Sequence, residues 1–210
     1  VFGWLFGKKE TKNEAAAADE AFDTGKEEAL GRVLGPHDDQ VLHAIIPFAI
    51  GGTLDLYPFS SCIPGTVYVT QELIGRTKAD RPKRGTDGYF ELAMCRKMPA
   101  SEDSEDGIGL VSQMLNPVAR YSFMAQLGPM QTAELPTEKD DQTQPVFFYN
   151  FKPKGAPFSF AGEDFCLLLC VTIFHFELAF ARKSNVEALV KLLQQAGEFP
   201  YSTLERDPVV

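Results

Sequence analysis

Apolar and polar positions alternate in some stretches of this chain and recur every three or four residues in others. Period-two alternation marks residues 54–59 (LDLYPF) and 89–96 (YFELAMCR) as strands, the latter with Phe90, Leu92 and Met94 on one face; β-branched and aromatic residues mark 66–70 (TVYVT), and 146–151 (VFFYNF) also reads as a strand. Residues 165–180 (FCLLLCVTIFHFELAF) form the longest nearly unbroken apolar run and contain no Gly, Pro or Lys. They predict one long strand covered on both faces, with His175 and Glu177 alternating against Phe176 and Leu178 at its end. A helical stripe begins at Gly107: Ile108, Val111, Leu115, Val118 and Ser122 recur at three or four residues. Pro117 lies inside this stripe and predicts a kink or two helical pieces. A second helix follows residues 184–187, where Ser184 and Glu187 have capping-box spacing; it turns Val186, Leu189, Val190 and Leu193 inward and stops at Gly197.

Weaker signals flank these elements. Residues 8–21 are rich in Lys, Glu and Ala and read as a linker or a solvated helix. Residues 27–34 form a better helical turn, with Gly35 and Pro36 as its stop. The expected organisation is therefore an N-terminal extension over residues 1–26, partly flexible or helical, and a single domain over residues 27–210. Pro47 makes residues 41–50 (VLHAIIPFAI) an edge strand or a bulge. Residues 136–145 read as a polar loop. Strands, a helix, strands again and a helix in that order favour an α+β fold with a mainly antiparallel sheet.

Composition narrows the function classes. With 210 residues, 44% hydrophobic and 23% charged, the chain has the make-up of an ordinary globular domain. A net charge of −9 disfavours nucleic acid as a partner, because few cations are present to displace phosphate counterions. The local basic stretch at residues 76–84 reads as a solvated loop. No apolar run approaches the ~20 residues of a spanning helix. Phe2, Trp4, Leu5 and Phe6, followed by Lys8 and Lys9, suit a tolerated N-terminus or, in the alternative, a peripheral membrane contact. Cys62, Cys95, Cys166 and Cys170 lack metal-ligand spacing and are expected as free thiols in a reducing cytoplasm.

Candidate chemistry is sparse. His175 and Glu177, two apart on a strand, would share a face on which the carboxylate could orient the imidazole, yet no nucleophile motif accompanies them. His37, Asp38, Asp39 and His43 could offer metal ligands but read better as loop polarity. Gly51-Gly52 opens no phosphate loop, and no dinucleotide fingerprint is present. The carboxylates at residues 102–106 have no apolar pocket to separate their proton affinities. The residues thus name no catalytic, cofactor or metal site.

Six motifs in order resemble one family. They are Gly51-Gly52-Thr53 before a short strand; Val67-Tyr68-Val69-Thr70 with the cap Gln71-Glu72-Leu73-Ile74-Gly75; Gly88-Tyr89-Phe90-Glu91-Leu92; Leu115 through Ala119-Arg120-Tyr121; a late strand over residues 165–178 ending in Glu177-Leu178; and a terminal helix with a Leu-Leu pair over residues 186–193. Together they are similar to the suppressor of fused domain over residues 41–205. The chain departs in lacking a Trp-His before the strand tyrosine and in carrying Pro117 in the family's helix. Animal members continue into a second domain and grip an extended peptide of a transcription factor as an added strand between the two.

The resemblance implies a non-enzymatic protein-interaction module, located in the cytoplasm, and an immunity-type protein that neutralises a toxin is one form of it. It further implies a protein partner, with Tyr68, Glu72, Leu73 and Ile74 as the binding residues if strand addition is retained. The alternatives are an enzyme using His175 and Glu177, or a membrane-associated protein anchored through residues 2–9.

Overall fold

In the computed structural model, residues 12–39, 41–137, 142–155 and 158–210 are described. The residues considered for a peripheral membrane contact, 2–9, lie outside them.

The seven strands are β1 (Tyr57–Phe59), β2 (Thr66–Val69), β3 (Phe90–Arg96), β4 (Thr132–Pro136), β5 (Thr143–Asn150), β6 (Phe158–Phe160) and β7 (Glu163–Thr172). They form one open sheet in the order β1-β2-β3-β7-β5-β4, with β6 folded back on the start of β7. Only the β3–β7 pairing is parallel; every other pairing in the sheet is antiparallel. Four helices, α1 (Lys12–Leu34), α2 (Glu105–Ser122), α3 (His175–Lys183) and α4 (Val186–Gln195), complete the described residues. The fold is α+β with a mainly antiparallel sheet, as the order of patterns predicts.

Both faces of the sheet are covered. On one face α2 lays Val111, Met114, Leu115 and Val118 against Tyr68, Phe90, Leu92, Met94, Phe148 and Leu168. The opposite face packs Leu30 and Leu34 of α1, Leu178 of α3 and Leu189 of α4 against Val67, Phe147, Leu167 and Leu169. Alternate residues of β7 therefore enter different cores, and Phe165 through Val171 are all buried, which explains the unbroken apolar run.

That run is not a single strand, however. β7 ends at Thr172, and α3 begins at His175, where the side-chain period changes to a helical one. The Glu177 carboxylate accepts from the Phe174 amide (3.0 Å) and so satisfies a free donor at the helix start. At α4 the cap is Asn185 rather than Ser184; its Oδ1 accepts from the Ala188 amide at 2.7 Å. α2 runs without interruption through Pro117, capped by Ser104, whose Oγ accepts from the Gly107 amide at 3.0 Å. Residues 41–50 form no strand: Leu42 makes a bridge with Leu56 and Pro47 one with Thr53, around a 3-10 turn at Phe48–Ile50. The stretch 54–59 contributes only β1, and the loop at 136–145 narrows because β4 and β5 form a hairpin. α1 begins at Lys12, within the stretch read as a linker or solvated helix.

Beyond Ala93 and Leu169 the strands β3 and β7 part, and the chain's own C-terminal tail enters between them. The Ser202 amide donates to the Cys95 carbonyl (2.8 Å), and the Thr172 amide donates to Ser202 Oγ (3.2 Å). Ser202 Oγ in turn donates to the Cys170 carbonyl at 3.1 Å. Ser202 is fully buried there.

Candidate protein-binding edge

The two ends of the sheet differ. At β1 the outer edge is covered: the Asp38 amide donates to the Pro58 carbonyl (2.8 Å), and Leu42 and Leu56 exchange amide hydrogen bonds at 3.0 and 3.1 Å. At β4 no described residue pairs with the outer edge. The Phe148 amide donates to Gln131 O (2.9 Å) and the Thr137 amide to Gln142 O (3.2 Å), so the odd-numbered residues between them face β5. Antiparallel alternation then turns the N–H and C=O of Thr132 and Glu134 outward. Pro145, opposite Glu134, has no N–H to return the bond it receives from the Ile173 amide (3.0 Å), and the Gln144 side chain donates to the Ile173 carbonyl instead, at 2.9 Å. Pro136 ends the row of outward donors.

A groove lies on each side of this edge. On the α2 side, Pro117, Tyr121, Met124, Leu127, Leu135 and Phe148 line a largely apolar groove of ≈ 590 Å³. On the other side, Met130, Thr132, Arg182, Asn185 and Glu187 line a more polar one of ≈ 610 Å³. Arg182 bonds Glu134 at 2.9 Å; that bond, followed by one from Thr143, holds the Glu134 carboxyl below its ordinary range. A segment laid along β4 would find backbone partners at two residues and alternate pockets for its side chains, apolar on one face and polar on the other.

The residues singled out from sequence lie elsewhere. Tyr68, Leu73 and Ile74 are buried. The Tyr68 hydroxyl donates to Asp103 (3.2 Å), and burial pushes that phenol far up from its usual value. Leu73 and Ile74 donate their amides to the buried Glu91, at 3.2 and 2.9 Å. Glu72 is partly exposed and accepts from the Asp55 amide (2.7 Å), with burial raising its carboxyl.

His175 and Glu177 do not form a pair. His175 is exposed on α3, with Nε2 3.4 Å from Thr143 Oγ1. Glu177 is buried against Arg206, which donates from NH1 at 2.7 Å, and it also accepts from the Val209 amide at 3.1 Å. The strand spacing that would join these two residues is lost once the chain turns helical. His37 and His43 each bond a carboxylate, Glu27 and Asp55, at 2.9 Å. Among the described residues no cluster of three or more His, Cys, Asp or Glu could hold a metal ion. All four cysteines are free, as expected, with Cys62 only partly buried.

β4 itself escaped sequence reasoning. Its signal is the short alternation of Ala133 and Leu135 against Thr132 and Glu134, two apolar residues and a terminal proline.

These features define a class: an α+β domain with one open sheet, helices on both faces and, among the described residues, a sheet edge left uncovered at β4. The fold is similar to that of a chain in the crystal structure of the Sufu–Fu complex, with a TM-score of 0.56 over 91% of this chain and 91% of that one. Sequence identity is 16%, so the likeness is one of fold. No family model matches the chain, and no curated protein matches it by sequence.

Proposed function

We propose that the chain is a non-enzymatic protein-interaction domain that receives an extended segment of a protein partner on the outer edge of β4. The observation that carries this reading is the edge itself, flanked by an apolar and a polar groove, at the end of the sheet that the described residues leave open. The fold's likeness to a chain solved as part of a protein complex supports it. Separation of His175 from Glu177 removes the geometry that an enzymatic reading would use. The four residues expected to bind lie at the β1–β2 end of the sheet, away from β4; Tyr68, Leu73 and Ile74 are buried, and Glu72, partly exposed, is proposed as a contact at a separate surface.

A toxin-neutralising, immunity-type role is the narrower form of this reading. A net charge of −9 supports it, because an acidic surface speeds association with a basic toxin. A toxin reading frame immediately upstream of the gene is the observation that tests it.

Thr132→Pro tests the edge. It removes an outward N–H and places a ring where an added strand would lie, while the bonds to β5 remain. With a partner captured from the source cells and then purified, the variant should bind at least about tenfold more weakly, with Tm shifted by less than about 4 °C. Undiminished binding would eliminate strand addition at β4.

A further inference from the structure

A second surface lies beyond the β4 grooves. The segment from Pro47 to Thr53 folds into a tight knuckle: the Gly51 amide donates to Phe48 O (3.0 Å) and the Gly52 amide to Pro47 O (3.0 Å). Gly51 has φ +97, and a Cβ on Gly52 would lie 1.6 Å from the Ile46 carbonyl oxygen, so both positions require glycine. Arg120 of α2 donates to the Gly51 carbonyl (3.0 Å) and to that of Gly52, and its guanidinium stacks 5.3 Å above the Phe48 ring. Knuckle and helix end are thus fixed against each other.

Between them is a hollow of ≈ 590 Å³, lined by Phe48, Ala49, Arg120, Phe123 and Met124. The Phe48 and Phe123 rings stand 6.2 Å apart. Met124 is 67% exposed, and Ile50, on the knuckle, 77%. Such a cluster of exposed apolar side chains on a supported frame suits a binding surface better than an ordinary solvated one.

Glu72 forms one wall of this hollow and also lines the adjoining pocket, where Glu20, Asp23 and Glu27 of α1 stand around Tyr57. The cation in that pocket, Lys26, is already committed. Its ammonium bonds the carbonyls of Gln71 and Ile74 and lies 3.4 Å from Asp23 and 3.8 Å from Glu91. Asp23 is thus paired with Lys26, and Glu27 bonds His37 at 2.9 Å, yet with Glu20 and Glu72 the rim beside the apolar depression holds more carboxylates than cations.

We infer that this hollow anchors an apolar side chain of a protein partner whose flanking lysine or arginine residues face the acidic rim at Glu72, Asp23 and Glu27. The complementary charge selects that occupant. An anionic lipid surface would be repelled by the same rim. This site shares Arg120 and Met124 with the α2-side groove but needs no strand addition at β4.

The test is an NMR titration of the intact chain with three six-residue peptides. One has two central leucines flanked by lysines, one replaces the lysines by glutamates, and one keeps the lysines but replaces the leucines by serines. The first should shift the amides of Gly51, Glu72, Phe123 and Met124 and bind at least about tenfold more tightly than the others. Glu72→Gln should weaken it roughly two- to fivefold, as expected for a rim charge. Phe123→Ser, or Met124→Ser as a milder variant with an unchanged spectrum elsewhere, should weaken it roughly tenfold or more. Thr132→Pro should leave it unchanged, which separates this site from the β4 edge. The inference is overturned by equal binding of the glutamate peptide, by shifts elsewhere, or by none at millimolar peptide. It is equally overturned if the same amides respond only to protein concentration, which marks a second copy as occupant, or to vesicles of anionic phospholipid.

Discussion

Two buried side chains show how single residues hold the tail to the sheet. Glu177 is fully buried, so desolvation pushes its carboxyl up; hydrogen bonds from Arg206 and from the Phe174 and Val209 amides outweigh that and hold it below the ordinary range. Its folded value thus lies below an unfolded one of about 4.3, so the stabilisation is complete above that pH and is lost as pH falls through the folded value. Glu177→Gln leaves Arg206 buried without its counter-charge and is expected to cost about 3–5 kcal/mol near neutral pH. Urea midpoints should fall as pH drops below about 4.3 in the parent chain and less steeply in the variant. Ser202 is the other anchor: Ser202→Ala deprives the buried Thr172 amide of its acceptor and should lower stability by about 1–3 kcal/mol on the same measurement. Neither role was legible in the sequence, since both depend on residues about thirty positions apart.

At the scale of elements, α1 is the instructive case. Its first half is largely exposed and its apolar pattern weak, whereas Ala29, Leu30, Val33 and Leu34 enter the core. Lys26 carries the polar contact, reaching across to Glu91 of β3 and to the carbonyls of Gln71 and Ile74. Burial raises the Glu91 carboxyl against the pull of Lys26 and of its hydrogen-bond donors, so this group is sensitive to loss of the lysine. A chain beginning at residue 22 keeps Lys26 and its contacts and serves as the reference. One beginning at residue 27, the domain start expected from sequence, should lose about 3 kcal/mol or more, because Glu91 keeps its burial and loses its partner. Thermal or urea unfolding of the two truncations distinguishes them. α2 shows the converse: capping by Ser104, acidic residues in the first turn and a continuous apolar stripe are all written locally, and they carry the helix through Pro117.

For the whole molecule, the roles proposed for the β4 edge and for the acidic rim near Glu72 would respond differently to solution conditions. Association through the acidic rim with a basic partner should slow as ionic strength rises from about 0.05 to 0.5 M, while dissociation from the β4 edge, set by backbone hydrogen bonds and apolar contact, should change little. Stopped-flow association rates measured at several salt concentrations would show this. A flat association rate would remove electrostatic steering from the account. None of the described helices is long and apolar enough to cross a membrane.

The order of local patterns determined the α+β class, the two cores and the identity of most strands, because burial on one face or both leaves a period that the chain carries along its own length. β2, β3, β5 and α2 are legible for that reason. Three features were decided only by tertiary structure. The apolar run at 165–180 continues smoothly across the change from β7 to α3, since a strand buried on both faces and a helix facing the same core show similar composition. β4 holds too few apolar residues to announce itself, and its value lies in an edge that no other strand covers. Glu177, Ser202 and the hollow beside Glu72 gain their meaning from distant partners, and distance along the chain is what a local pattern does not encode.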